Sequence, residues 1–249
     1  VSSKVQTTRH RIKAFLNKPG EYQVVFSDTP GIIDPKYKLH ERMMDAVKGA
    51  LEDADLALLI VDVKDDWESC HAIFSALKLT VPAVVVLNKT DGVNGNKITE
   101  AETYFSKQPY CRKLVKISAL RHEHLDKLLD VILTFLPEGM PFYSEEDLSD
   151  MPTKFFVAEM IREKIYELFG DEIPYHTAVM INEFKEKESL VKIQADIIGD
   201  KGKMIKQIGM KARADIEGFI GQKVFLELFV KVRPKWRDNE MQLKEYGYN

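Results

Sequence analysis

Cysteine is nearly absent. Cys70 and Cys111 are the only two, far apart in the chain, which excludes a disulfide framework and a cysteine-based zinc site. Reduced thiols and a cytoplasmic setting are the expectation. Long apolar runs are lacking too: none approaches the roughly 20 residues of a membrane-spanning helix, and no signal peptide opens the chain. Peripheral contact with a membrane surface stays compatible with this. Charge of one sign is also missing, since 36 Lys and Arg stand against 39 Asp and Glu, a net of −3. Composition therefore gives no global sign of a nucleic-acid partner, and any basic surface must be local. Divided at Asp150, the first part carries a net charge of −4 and the remainder +1. What is present is ordinary for a soluble globular protein: 45% hydrophobic and 30% charged residues over 249 positions. That length allows one large or two small domains.

The stretch Tyr22-Gln23-Val24-Val25-Phe26-Ser27-Asp28-Thr29-Pro30-Gly31 organises the first part. Its apolar run reads as a buried strand ending in an aspartate, and Pro30-Gly31 then break the extended backbone. A carboxylate at the carboxyl end of a strand can hold Mg²⁺ through water, and a glycine lets a backbone N–H approach an anion. Alone, this is equally an ordinary strand and turn. Residues 12–16 and 22–26 flank a turn and read as a hairpin. Ahead of them, Thr7-Thr8-Arg9-His10-Arg11 is either a loop whose hydroxyl reaches a metal or a solvated start.

Alternation follows: helix 39–51, strand 55–62, helix 67–77, strand 82–87, helix 97–105, strand 113–117 and helix 124–136. The order implies an α/β doubly wound parallel sheet with ligand loops at the strand carboxyl ends. Asn88-Lys89-Thr90-Asp91 follows one buried strand directly, and Ser118-Ala119-Leu120 follows another. The Asp91 carboxylate can accept from guanine N1–H and the 2-amino group, two donors that adenine lacks. Asn88 can use its amide on the base, the Lys89 stem can lie over the purine, and Ser118-Ala119 can offer N–H to guanine O6. A plain polar loop is the competing reading of each motif alone.

Residues 138–152 are acidic and proline-punctuated, which reads as a linker between a domain at 1–137 and a second at 153–249. Helix 153–169 and strands 177–186 and 190–197 come next. Gly199-Asp200-Lys201-Gly202 then precedes a second helix carrying Lys203, Lys206, Lys211 and Arg213. Two glycines bracketing polar residues at a helix start let a nucleic-acid backbone approach, and the helix N-terminus favours phosphate. A strand over 222–232 ends in a second basic group, Lys231, Arg233, Lys235 and Arg237. This is either a second phosphate-contacting edge or a solvated terminus.

These motifs resemble those of P-loop GTPases. Asp28-Thr29-Pro30-Gly31 is similar to switch II, Asn88-Lys89-Thr90-Asp91 to the base-specificity motif, and Ser118-Ala119-Leu120 to the third base loop. Gln6-Thr7-Thr8-Arg9 resembles switch I, with Thr8 at the magnesium-binding threonine. Helix, two strands, GxxG, helix and strand is the order of a type II KH domain. The combination resembles the Era family of ribosome-assembly GTPases. The resemblance implies GTP or GDP and Mg²⁺ as cofactors, with Thr8 and Asp28 as metal ligands. Gly31, Asn88, Lys89, Asp91, Ser118, Ala119 and Leu120 would contact nucleotide. It implies RNA contacts from Gly199, Asp200, Lys201, Gly202, Lys203, Lys206, Lys231, Arg233 and Lys235. The implied partners are single-stranded RNA, the 3′ end of 16S rRNA and the 30S subunit, with the GTP state controlling access to the KH groove. A cytoplasmic monomer with peripheral contact at the inner membrane fits the same family.

Two departures qualify the resemblance. Ile32 stands where many GTPases carry a water-orienting glutamine, as in subfamilies that hydrolyse GTP slowly without help. No G-x-x-x-x-G-K-[ST] occurs anywhere in the 249 residues, so the cradle for the β- and γ-phosphates is missing. The expectation is a chain that begins inside its G domain, one βα unit short, and that hydrolyses GTP poorly as written. A KH-type RNA-binding module with a nucleotide-incompetent G domain as scaffold is the alternative.

Overall fold

A computed structural model of the chain describes residues 7–169, 173–199 and 204–248. The chain forms two compact units, one of residues 1–47 with 141–249, the other of residues 48–140. The division falls inside helix α1 (Lys38–Glu52).

In the second unit, β3 (Ala57–Asp62), β4 (Ala83–Asn88) and β5 (Cys111–Lys116) form a parallel sheet with β4 in the centre. Val84, Val85, Val86 and Leu87 are fully buried, as strands covered on both faces must be. One face packs Leu59, Val61, Val85 and Leu87 against Ala101 and Phe105 of α3 (Gly95–Ser106) and against Trp67 and Phe74 of α2 (Trp67–Ala76). The other sets Val84, Val86 and Val115 against Leu125, Leu128 and Val131 of α4 (Leu125–Leu133). Each such aliphatic side chain contributes about 1.5–3 kcal/mol by leaving water. Helix starts are sealed locally: Asp66 accepts from Glu68 N–H and Asn94 from Lys97 N–H. This layering holds the three strand ends rigidly, and the loops after β3, β4 and β5 rest on them.

In the first unit, β1 (Ile12–Lys18) and β2 (Tyr22–Asp28) form the expected antiparallel hairpin. It is a two-stranded sheet of its own, not hydrogen-bonded to another described strand. The acidic stretch read as a linker packs on this hairpin. Phe15 N–H donates to Leu148 O at 3.0 Å, Ser149 Oγ to Lys13 O at 2.5 Å, and the Gln23 amide donates to Tyr143 O at 2.9 Å.

The rest of the first unit is α5 (Thr153–Leu168), β6 (Ala178–Glu186), β7 (Leu190–Ile198), α6 (Ile205–Ile220) and β8 (Lys223–Lys231). The strands lie in the order β6-β7-β8, antiparallel between the first two and parallel between the last two. Helices α5 and α6 cover one face through Val157, Ile161, Ile165, Ile208, Ala212 and Ile216. On the opposite face Ala178 and Ile198 meet Trp236, Leu243 of α6's successor α7 (Glu240–Glu245), Tyr248, and Leu39 and Met43 of α1. Helix, two strands, helix, strand is the order expected from the sequence.

Candidate functional site

The residues expected from the sequence to read a base lie in the second unit, at the carboxyl ends of neighbouring strands. Asp62 ends β3, Asn88 ends β4, and Ser118 follows β5. Parallel pairing places Asp62 opposite Asn88. Asn88 Oδ1 accepts from Lys89 N–H at 2.7 Å and from Ala119 N–H at 3.0 Å, so one side chain ties both loops together. Thr90 Oγ1 donates to Ile117 O at 2.9 Å, a second tie.

Asp91 is held by the buried Ser118, whose hydroxyl donates to Asp91 Oδ1 at 2.5 Å; Arg121 Nε lies 3.9 Å from Oδ2. The Ser118 hydrogen bond keeps the Asp91 carboxyl below its ordinary range, so it stays an ionised acceptor at neutral pH. Lys89 has φ 61°, a left-handed backbone, and its ammonium sits 2.7 Å from Asp62 Oδ2. Burial pushes the Asp62 carboxyl up, but the Lys89 and Lys64 contacts more than offset it and leave it low. Leu120 is 82% exposed and supports nothing in the loop. The N–H of Ala119 that would meet guanine O6 is the one given to Asn88, so a base would share that donor.

The two residues expected from the sequence to hold a metal lie in the first unit. Thr8 Oγ1 donates to Asp28 Oδ2 at 3.1 Å, and burial raises the Asp28 carboxyl above its usual range. A hydroxyl and a carboxylate in reach of each other suit Mg²⁺, which takes hard oxygens and keeps several waters. Among the described residues no group of three or more His, Cys, Asp or Glu could hold a metal alone. These two oxygens would therefore share the ion with phosphate and water. A Cβ on Gly31 would meet nothing within 4 Å, leaving open space at its backbone. Ile32 is exposed.

Sequence reasoning missed the residues after Thr8. Arg9 is 2% exposed, not solvated. Its guanidinium donates to Thr177 O at 2.8 Å, Pro174 O at 3.0 Å, Tyr175 O at 3.1 Å, Tyr166 Oη at 3.1 Å and Tyr248 Oη at 3.4 Å. Arg162 of α5 donates to Thr7 O, and Arg11 Nε to Ser27 Oγ at 2.7 Å. His10 stacks on Tyr248 with centroids 4.5 Å apart and meets the edge of Phe155 at 5.3 Å. Local composition carries no signal for this, because the acceptors of Arg9 are backbone carbonyls and tyrosine hydroxyls far along the chain.

Burial pushes the His10 pKa down to about 4; Glu159 opposes this, while Arg162 and Arg9 add to it. The unfolded chain, with an ordinary histidine, binds its proton first as pH falls. His10 therefore supports the fold fully above pH 6.5 and loses that support as pH falls toward 4. By pH 5 the loss amounts to about 2 kcal/mol. Urea midpoints at pH 7.5 and 5 for wild type and His10→Phe check this. The variant should lose less stability on acidification, and equal losses would refute the role of His10.

Of the residues expected from the sequence to contact RNA, Asp200, Lys201, Gly202 and Lys203 lie outside the described residues. Gly199 N–H donates to Lys231 O at 3.1 Å, and a Cβ there would sit 3.1 Å from Thr177 Oγ1. A side chain there would need the Thr177 hydroxyl to give way by a few tenths of an ångström, a constraint independent of any ligand. Lys206 is exposed in the first turn of α6, and Arg233 and Lys235 are exposed after β8. Lys231 is partly engaged: its ammonium lies 2.5 Å from Asp196, a carboxylate only 2% exposed.

Comparison with known proteins agrees with both halves. The model of the 50S ribosome-binding GTPase family matches residues 1–89, and that of the KH domain matches residues 172–237. GTPase Era of Geotalea uraniireducens is 40% identical over 262 aligned positions, covering 99% of this chain and 88% of that protein. GTPase Era of Thermoanaerobacter sp. is 38% identical, covering 99% and 86%. The crystal structure of Era in complex with MgGDPNP and nucleotides 1506–1542 of 16S ribosomal RNA superposes with a TM-score of 0.93 at 35% identity, over 100% of this chain and 89% of that one. An Aquifex aeolicus Era variant bound to GDP and aluminium fluoride gives the same values. With a guanine-type loop set at the strand ends, a KH-type sheet and helices, and relatives matched over nearly all its length, this chain belongs to the Era family of GTPases.

Proposed function

We propose that this protein binds and hydrolyses GTP and uses the nucleotide state to govern binding of single-stranded RNA, the 3′ region of 16S rRNA, during small-subunit assembly. The observation that carries the reading is the Asp91–Ser118–Asn88 arrangement, an ionised carboxylate preset as a double acceptor beside a KH-bearing chain. Asp91 and Asn88 read guanine, Lys89 lies on the purine, and Ser118 and Ala119 close the base loop. Thr8 and Asp28 would hold Mg²⁺, which neutralises phosphate charge when bound. Ile32 offers no polar group to a water, which supports slow unassisted turnover. The crystal structure of Era with MgGDPNP and a 16S rRNA fragment supports both the cofactors and the RNA.

RNA would meet Lys206, Arg233 and Lys235, with the GxxG motif of residues 199–202 approaching its backbone. Salt-dependent titration tests this with a single-stranded 16S 3′ oligonucleotide and with the same strand in a duplex. The single strand should bind at least about tenfold better, because unpaired bases can be splayed into a KH groove. Equal affinity for the two would overturn the RNA reading.

A further inference from the structure

The ends of β3 and β4 are joined by one side chain. Parallel register sets Asp62 opposite Asn88, and Lys89 is the next residue. Lys89 has φ 61°, a left-handed backbone that glycine adopts readily and lysine rarely. The turn is held in place: Lys89 N–H donates to Asn88 Oδ1 at 2.7 Å, and Lys89 O accepts from Gly92 N–H at 3.1 Å. The far end of the side chain is fixed as well, with the ammonium 2.7 Å from Asp62 Oδ2. Asp62 is itself oriented, since its Oδ1 accepts from Lys64 N–H at 2.9 Å. The two carboxylate oxygens thus have separate tasks, one fixing the acid to its own loop and the other holding the lysine. Between its two anchors the Lys89 stem spans adjacent strand ends, which lie about 4.8 Å apart. The Lys89 side chain nevertheless stays 60% exposed, while that of Asp62 is only 19% exposed. The ammonium is pinned, and most of the side chain stays open to a ligand.

We infer that Asp62 is a positioning residue for the nucleotide, holding Lys89 extended as a ledge on which the purine ring lies. The inference rests on the proposed function and deepens it, adding an acid that acts through Lys89 and not on the base. A free lysine has many rotamers, and a ring that settles on it must freeze that freedom. The ion pair freezes it before the nucleotide arrives. Losing the pair should weaken binding by about three- to tenfold, the usual cost of immobilising one long side chain. Methylenes carry no donor or acceptor, so the ledge serves every purine alike. Asp91 selects the base, and Asp62 sets how tightly any purine is held.

The test is nucleotide binding by the full chain, measured calorimetrically with GDP and with inosine diphosphate, which lacks the 2-amino group. Asp62→Asn keeps the size of the side chain and an acceptor for Lys64 N–H, and loses the charge that holds Lys89. Both affinities should fall by the same factor, about three- to tenfold, with the ratio of GDP to inosine diphosphate unchanged. Lys89→Met keeps an unbranched apolar stem without the ammonium. In that background Asp62→Asn should change affinity by less than about twofold, because the partner it acts through is gone. An Asp62 that only supports its own loop would cost the same factor in both backgrounds, and that result overturns the inference alone. So does an Asp62→Asn protein with undiminished affinity, or one whose nucleotide ratio shifts. Should Asp62→Asn not fold, Lys89→Met by itself should show the same even loss, and undiminished affinity there overturns the inference. A wild type that binds neither nucleotide sinks the proposed function and this inference with it.

Discussion

An Asp91→Asn variant should exchange its preference for guanine nucleotides for one for xanthine nucleotides. The Asp91 carboxylate presents two acceptor oxygens, one already oriented by the Ser118 hydroxyl. Guanine meets it with N1–H and the 2-amino group. Asparagine offers one acceptor and one NH₂ donor, so the guanine amino group would face another donor, while the xanthine carbonyl would be matched. Sites built around buried hydrogen bonds discriminate against unmatched analogues by about 10⁴. The affinity ratio of GTP to xanthosine triphosphate should therefore shift by at least about 10³ between wild type and variant. Competition binding in the full chain reads the ratio directly. An unchanged guanine preference would remove Asp91 from the base site.

Loss of RNA binding with nucleotide binding intact is expected for Gly202→Asp. The GxxG reading requires a phosphate to approach backbone N–H groups at a helix N-terminus. A side chain at that position blocks the approach, and a carboxylate repels the anion. Affinity for the single strand should drop by at least about 100-fold, which corresponds to about 3 kcal/mol. Lys206→Ala serves as the contrasting control, since loss of one exposed phosphate contact weakens binding evenly and lowers the salt slope by about one unit. Equal affinity of wild type and Gly202→Asp would reduce the GxxG segment to a turn.

Much of the fold was legible because its signals are local. Val84 to Leu87 are apolar without alternation, and a strand covered on both faces requires this. The alternation in β6 and β7 marked the face covered by α5 and α6, while the other face, expected to be solvated, is covered where Ala178 and Ile198 meet Trp236 and Leu243. The base loops could be found because their chemistry is contiguous: Asn88 to Asp91 need only a strand end to present them. What sequence reading could not reach is long-range pairing. Residues 7–11 read either as a loop reaching a metal or as a solvated start, and only folding brings the carbonyls of Pro174, Tyr175 and Thr177 around Arg9. The acidic stretch 138–152 reads as a spacer because its composition is polar. Its backbone nevertheless finds the hairpin edge, bridging Ser149 to Ala14. The ion pair between Asp62 and Lys89 was equally invisible, since parallel register sets it and no spacing announces it.

The pairing of Asp196 with Lys231 has a genetic consequence. Among the described residues, the ion-pair partner of this carboxylate, 2% exposed on the central strand of its sheet, is the Lys231 ammonium of the neighbouring strand. Losing the lysine strands a buried negative charge, at a cost of about 3–5 kcal/mol, whereas neutralising both partners together can cost almost nothing. Neither position can drift freely by itself. In the descent of this protein the two should be kept together or exchanged together, the acid to a neutral residue in the same lineages in which the lysine is lost.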